Sequence, residues 1–302
     1  MSRLFLMLFL ACAASVTKCP TALAGPIAVP AGLTAGDQYR LVFVTSTSTN
    51  ALSNNIGYYN SFVTNAADLD PALVALGTTW TALASTPTES ARDNTNTSPS
   101  SMSVPIYNTA GQLVATSNAT LWDGSIAHSI AFDENGVPPI PGYTEVWTGT
   151  GTSGAPDDPS DPLGTAIPVW GDTKSAMSNW IDTGGYYEAA GNHTMYAISG
   201  PLTVVPGDVN RDGVVNGLDI SVVASNWLQT GMHMPGESSS QQVANGLAIS
   251  LVNSNWLKTA GDATTSSMVS ASGQVSVVPE PATIVTAAIG GLALMACRRR
   301  RA

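Results

Sequence analysis

The sequence predicts an α+β fold: a mostly antiparallel, twisted sheet with short helices, then a small all-α module, then a C-terminal transmembrane helix. Three observations carry that expectation. Short apolar runs between residues 38 and 205 are separated by loops rich in Asn, Gly and Pro. Two stretches after Gly207 echo each other at an offset of 29 residues and place apolar residues at helical spacing. An apolar run of sixteen residues, Ala282 to Cys297, precedes four consecutive arginines.

The sheet begins with Gln38 to Thr45, where Tyr39, Leu41 and Phe43 alternate with Arg40, Val42 and Val44. That pattern predicts a strand buried on at least one face. Ile56, Tyr59, Val63 and Ala66 recur at helical spacing. Asp70-Pro71, followed by Gly77, frames a second short helix with an N-cap, a proline at N1 and a terminal glycine. Thr78 to Ala84 alternates around Trp80 as a strand. Later strand candidates are Val104–Tyr107, Glu145–Thr148, Ile167–Trp170, Met195–Ile198 and Leu202–Val205. Pro206-Gly207 marks a boundary. The domains expected are 1–24 as a leader, 25–205 as the α+β part, 206–262 as the helical module, 263–277 as a linker and 278–302 as a tail.

Both ends carry addresses. Arg3 precedes an apolar run from Leu4 to Val16, and Ala22-Leu23-Ala24 supplies a small-residue cleavage pattern ahead of Gly25. A positive start, a short apolar stretch and an A-x-A site predict a secretory signal cut between Ala24 and Gly25. At the other end, Ala282 to Cys297 covers roughly 24 Å as a helix, a marginal span, and Arg298 to Arg301 holds its end in the cytoplasm. Just before it stands Pro279-Glu280-Pro281. Cys12, Cys19 and Cys297 are the three cysteines, and all fall in these end segments. The mature chain then has no disulfide and no thiol chemistry.

The chain has 302 residues and a net charge of −10. Six of its 11 basic residues lie in the leader and tail, which leaves 5 against 21 acidic residues, a net of −16. Such a surface repels phosphate backbones and attracts divalent cations, so nucleic acid is excluded as a partner.

One motif carries recognisable ligand chemistry. Asp208-Val209-Asn210-Arg211-Asp212-Gly213-Val214-Val215-Asn216-Gly217-Leu218-Asp219 fits the D-x-[DN]-x-[DN]-G calcium loop. Calcium needs hard oxygen ligands around a tight turn. Asp208, Asn210 and Asp212 occupy alternate positions, Gly213 permits the turn, the Val214 carbonyl is a backbone ligand, Asn216 acts directly or through water, and Asp219 closes the site. Ile220, Val223, Ala224, Trp227 and Leu228 then predict a helix with one apolar face. Asn216-Gly217-Leu218 recurs as Asn245-Gly246-Leu247, and Ser225-Asn226-Trp227-Leu228 as Ser254-Asn255-Trp256-Leu257. The second copy has lost its ligands: Glu237, Gln241 and Ala248 stand where Asp208, Asp212 and Asp219 stand in the first, and Gln242 replaces the turn glycine. Its apolar positions Ile249, Val252, Trp256 and Leu257 survive, which predicts one Ca2+ site and a second helix kept for packing.

Three resemblances extend this reading. Pro279-Glu280-Pro281, the apolar run and the terminal arginines resemble the PEP-CTERM sorting tail, over about the last 25 residues. That resemblance implies an exosortase-type membrane peptidase as partner, an inner-membrane-anchored precursor, and a final place at the cell surface or in an extracellular, polysaccharide-rich matrix. The loop and its damaged twin resemble a type I dockerin over residues 206 to 262, which implies a cohesin domain as partner; the lost second loop departs from that family. The helical stretch Tyr58 to Ala67, with Val104-Pro105-Ile106-Tyr107-Asn108, Leu121-Trp122-Asp123-Gly124, Phe132-Asp133 and Val146-Trp147-Thr148-Gly149, is similar to the endostatin and C-type-lectin-like fold over residues 38 to 200. That fold implies a binding surface. The disulfides common there, and the Glu-Pro-Asn or Gln-Pro-Asp triplet of calcium-dependent lectins, are missing.

No catalytic set emerges. His128 and His193 lie outside any zinc pattern, and no G-x-S-x-G elbow occurs. Asp133, Glu134, Glu145 and Glu188 could supply the carboxylate pair of a glycosidase only if two of them face each other. The expectation is therefore an exported, non-catalytic binding or structural protein of the surface or matrix. The alternative is a carbohydrate-active enzyme, or a component of a polysaccharide-degrading assembly.

Overall fold

The structure is a computed structural model, and it describes residues 29–138, 144–228, 244 and 246–262. All of these belong to one compact unit, residues 1–265. The leader with Ala22, Ala24 and Gly25, and the tail with Pro279, Glu280 and Pro281, lie outside the described residues.

Eight strands form one sheet: β1 (Gln38–Val44), β2 (Trp80–Ala82), β3 (Ile106–Asn108), β4 (Leu113–Ala115), β5 (Glu145–Trp147), β6 (Trp170–Asp172), β7 (Thr194–Ser199) and β8 (Leu202–Thr203). The main path runs β4-β3-β1-β7-β5-β6, with β2 beside β7 and β8 beside β1. Pairing is mixed. β1 with β3 and β5 with β7 are parallel; β1–β7, β2–β7, β3–β4, β5–β6 and β1–β8 are antiparallel.

β1 explains why the sheet has two cores. All but its first residue are buried. Tyr39, Leu41 and Phe43 point to one face, where α1 (Ile56–Ala67) and α2 (Pro71–Ala75) cover them. Val42 and Val44 point to the other, against Ile106, Leu121, Trp180 and Tyr196. Period-two alternation makes one strand serve both layers. Asn55 caps α1 by accepting from Gly57 N at 2.9 Å, and the helix buries Tyr59, Val63, Ala66 and Ala67. Asp70 caps α2 by accepting from Ala72 N at 2.6 Å, with Pro71 at its first position. Phe43 meets Trp80 edge-to-face at 5.0 Å, a contact worth about 1 kcal/mol beyond its buried area.

The fold class expected from the sequence is corrected at several points. The molecule is sheet-rich, with a curled half-barrel sheet and few helices, so the α+β, C-type-lectin or endostatin-like reading does not stand, although most strand pairs are antiparallel as expected. Parallel pairing of β1 with β3 joins segments more than sixty residues apart, a contact that local patterning does not encode. The described residues of segment 206–262 do not form an all-α module. Among its described residues lie α5 (Gly217–Ser225) and α6 (Gly246–Ser254), and an antiparallel bridge from Val214 to Thr259 ties its loop to its last turn. Among the described residues no helix is long and apolar enough to cross a membrane, and the predicted span Ala282 to Cys297 lies outside them.

Candidate functional site

The chain leaves β8 through buried Val204 and Val205 and turns at Gly207, whose φ of 92° is left-handed. A side chain there would strain the backbone and press on Leu251 O, 3.0 Å from an added Cβ. This turn delivers Asp208, fully buried, into the loop.

The loop is organised around its carboxylates. Asp208 Oδ1 accepts from Asp212 N at 3.1 Å and Oδ2 from Gly213 N at 2.9 Å. Asp219, also fully buried, accepts at Oδ1 from Val209 N (2.7 Å) and Asn210 N (3.2 Å), and at Oδ2 from Asn216 N (2.8 Å). Asp212 Oδ1 accepts from Val214 N at 2.9 Å, and its Oδ2 accepts from Asn210 Nδ2 at 2.7 Å. Asn210 Oδ1 accepts from Asp212 N at 3.1 Å. Arg211 and Gly213 have positive φ, 61° and 83°, and these let successive N–H groups turn inward. Asn216 caps α5 by accepting from Leu218 N at 2.8 Å, and Asp219 completes a capping box at the positive end of that helix.

The electrostatics favour an additional positive charge. Burial pushes the Asp208 carboxyl up to about 7, and the charges of Asp212 and Asp219 push the same way, against the hydrogen bonds from Gly213 and Asp212. Among the described residues no group of three His, Cys, Asp or Glu side chains converges as a ready metal cage. Asp208, Asp212 and Asp219 share the loop with the Asn210 amide oxygen and the Val214 carbonyl, oxygen donors of the chemical type that Ca2+ takes. Among the described residues nothing donates to the Val214 carbonyl. The bridge there bonds through its neighbours: Val215 N donates to Lys258 O at 3.0 Å and Ala260 N to Gly213 O at 2.8 Å. Each carboxylate oxygen that accepts one N–H keeps a second lone pair. The six positions expected from the sequence, Asp208, Asn210, Asp212, Val214, Asn216 and Asp219, thus stand in one loop, with their carboxylates held by loop N–H groups.

In the twin repeat, Ala248 is fully buried in α6, where Asp219 stands in α5. It joins Val205, Val215, Val223, Ala244 and Val252 in a small core between the two helices. Glu237, Gln241 and Gln242 lie outside the described residues. The helix face expected from the sequence is narrower than predicted: Val223 and Val252 are buried, but Trp227, Leu228, Trp256 and Leu257 are exposed. Leu228 and Leu257 both have φ of 63°, so each helix ends in the same left-handed turn.

The histidines are not paired. His128 Nδ1 lies 2.8 Å from Leu113 O. His193 packs its ring on Trp147 (4.6 Å, edge-on) and Tyr187 (4.9 Å), and burial lowers its pKa. Trp147 Nε1 donates to Thr49 O and Gly191 O, at 3.1 and 3.3 Å. Of the four glycosidase candidates, Glu134 is buried with both oxygens on Ser46, and Asp133 accepts from Asn135 N and Val137 N. Glu134 is thus tied to Ser46, 88 residues earlier, and Asp133 to its own turn. Sequence reasoning missed this buried Glu134–Ser46 pair, because an Asp-Glu-Asn-Gly string reads as an exposed turn.

Comparison with protein families matches residues 277–301 to the PEP-CTERM protein-sorting motif. The chain is therefore of the exported kind, sorted by exosortase to the cell surface. The match covers the tail and touches neither the sheet nor the loop. Comparison with curated proteins finds no match.

Proposed function

We propose that the mature protein is a non-catalytic component of the cell surface or extracellular matrix, with one Ca2+ held by the dockerin-like loop Asp208–Asp219. The observation that supports it is the Asp-x-Asn-x-Asp-Gly spacing in a loop where Asp208 and Asp219 are fully buried and the Val214 carbonyl takes no hydrogen bond among the described residues. A divalent cation would satisfy all of these at once. The residues that would hold it are Asp208, Asn210, Asp212, Asp219 and the Val214 carbonyl, with Asn216 at the rim. The tail supports the location. Arginines kept in the cytoplasm would hold Pro279-Glu280-Pro281 at the outer face of the inner membrane, within reach of a membrane peptidase.

A cohesin-type partner is favoured by one observation. Each repeat exposes the same three side chains, Leu218, Trp227 and Leu228 in the first and Leu247, Trp256 and Leu257 in the second.

Calorimetric titration of the full chain with Ca2+ tests the reading. One site is expected, lost in Asp212→Ala; two sites, or none, would refute it. Intact-mass analysis of extracellular protein is expected to show an end near Pro281. A dominant form that retains Cys297 and the arginines would make the tail a plain anchor.

A further inference from the structure

The loop does not stand apart from the sheet, and its attachments run in two directions. On one side, Arg211, the fourth loop position and not a ligand, reaches back across 181 residues. Its Nη2 donates to Pro30 O at 2.7 Å and to Leu33 O at 3.2 Å. Those carbonyls belong to the arm 30–37 that leads into β1. Gly36 N donates to Val204 O and Val204 N to Asp37 O, both at 2.9 Å, so the arm lies between β8 and the loop. Fully buried Tyr39, second in β1, feels the charges of both Asp208 and Arg211.

On the other side, Val214 bridges to Thr259, and the next residue, Ala260, enters the core under β1 and α2. Thr203 N of β8 donates to Ala260 O at 2.9 Å, and Ala260 N donates to Gly213 O at 2.8 Å. Gly261 N donates to Leu76 O at 2.9 Å, and a Cβ on Gly261 would lie 2.5 Å from Gly77 O, so the two backbones touch. Gly213 and Val214, the turn residue and backbone ligand of the loop, are thus one hydrogen bond from the sheet core.

We infer that the Asp208–Asp219 loop is a cation-dependent latch on the sheet: filling it fixes Arg211 on the arm 30–37 and fixes Ala260 and Gly261 on the end of α2. This inference rests on the calcium reading above. A ligand that binds only the closed loop stabilises every contact that must break when the loop opens. The latch therefore extends cation stabilisation to residues far from the ion in sequence.

Hydrogen exchange of the full chain, followed by mass spectrometry with and without Ca2+, tests it. At a calcium concentration 100 times the measured dissociation constant, amides that exchange by loop opening slow about a hundredfold. Protection is expected in peptides covering 208–219, 30–37 and 73–77 together. In Arg211→Ala, calcium still protects 208–219 but no longer 30–37. Protection confined to 208–219 in the unaltered chain would overturn the latch and leave the calcium site standing. No protection at 208–219 would overturn the calcium reading and the latch with it. If Arg211→Ala does not fold, the unaltered chain alone decides between these outcomes.

Discussion

Replacing Asp219 by Ala removes the acceptor at the centre of the loop, and its cost can be worked from the structure without calcium. Three backbone donors lose their partner: Val209 N at 2.7 Å, Asn216 N at 2.8 Å and Asn210 N at 3.2 Å. A hydrogen bond to a charged group contributes about 1.5–3 kcal/mol, and a donor left unsatisfied in a buried place costs a similar amount. Asn210 is exposed, so water replaces its weak bond; Val209 and Asn216 are half-buried and carry most of the loss. Relief of repulsion toward Asp208 offsets part of it. A net loss of about 3 kcal/mol is expected. With a urea m-value of about 2–3 kcal/mol/M, the unfolding midpoint falls by roughly 1–1.5 M in chelator. Asp219→Asn keeps one acceptor for Val209 N and should lose about half as much. The assay is urea unfolding of the full chain in excess chelator, followed by tryptophan fluorescence. If Asp219→Ala unfolds within about 0.5 kcal/mol of the unaltered chain, the carboxylate does not organise the loop, and the reasoning fails.

Other expectations are simpler to state. His193 has its pKa lowered by burial, so the unfolded chain holds the proton more tightly; stability is full above about pH 6.5 and declines as pH falls below it. His193→Gln should flatten the difference in urea midpoint between pH 7.5 and pH 5.5, and an unchanged difference would assign it elsewhere. Gly149→Ala places a Cβ 2.5 Å from Leu163 N and 2.8 Å from Ser85 O at a φ of 56°, so a loss of about 3 kcal/mol or more is expected in thermal unfolding. A melting temperature within a degree of the parent would contradict that geometry. Glu280→Ala should leave the precursor in the membrane fraction; normal release of mature protein would show that this carboxylate plays no part in sorting.

Much of the sheet was legible because its signals are local. β1 follows from strict alternation, α1 from its spacing, and α2 from the sequence Asp70-Pro71 to Gly77, whose cap bond the structure contains. β4 was missed: three residues between Gly111 and Ser117 carry too short a pattern, and pairing with β3 alone makes them a strand. The mixed strand order was not readable, since β1 meets β3 and β7 through contacts that have no local signature. At the loop, the spacing of Asp208, Asn210, Asp212 and Asp219 was plain in sequence. The partners of Arg211 and Ala260 were not, because both bond backbone groups, and a backbone carbonyl looks the same in every residue. The tryptophans at 227 and 256 misled for a physical reason: helical spacing marks one side of a helix, but α5 ends at Ser225 and α6 at Ser254, so both tryptophans lie beyond the last helical residue and are exposed.

The position of β1 bears on how this chain reaches its folded form outside the cell. An exported polypeptide emerges with its N-terminal end first, and β1 is the earliest strand to appear. Its neighbours β3, β7 and β8 come later, the last two more than 150 residues behind. Until then a run of seven residues with apolar side chains on both faces has open edges on both sides, the condition under which chains associate with one another. No cysteine stands between residues 20 and 296 to fasten it early. The central sheet can close only once β7 and β8 have crossed, and pairing strands this far apart in sequence is intrinsically slow.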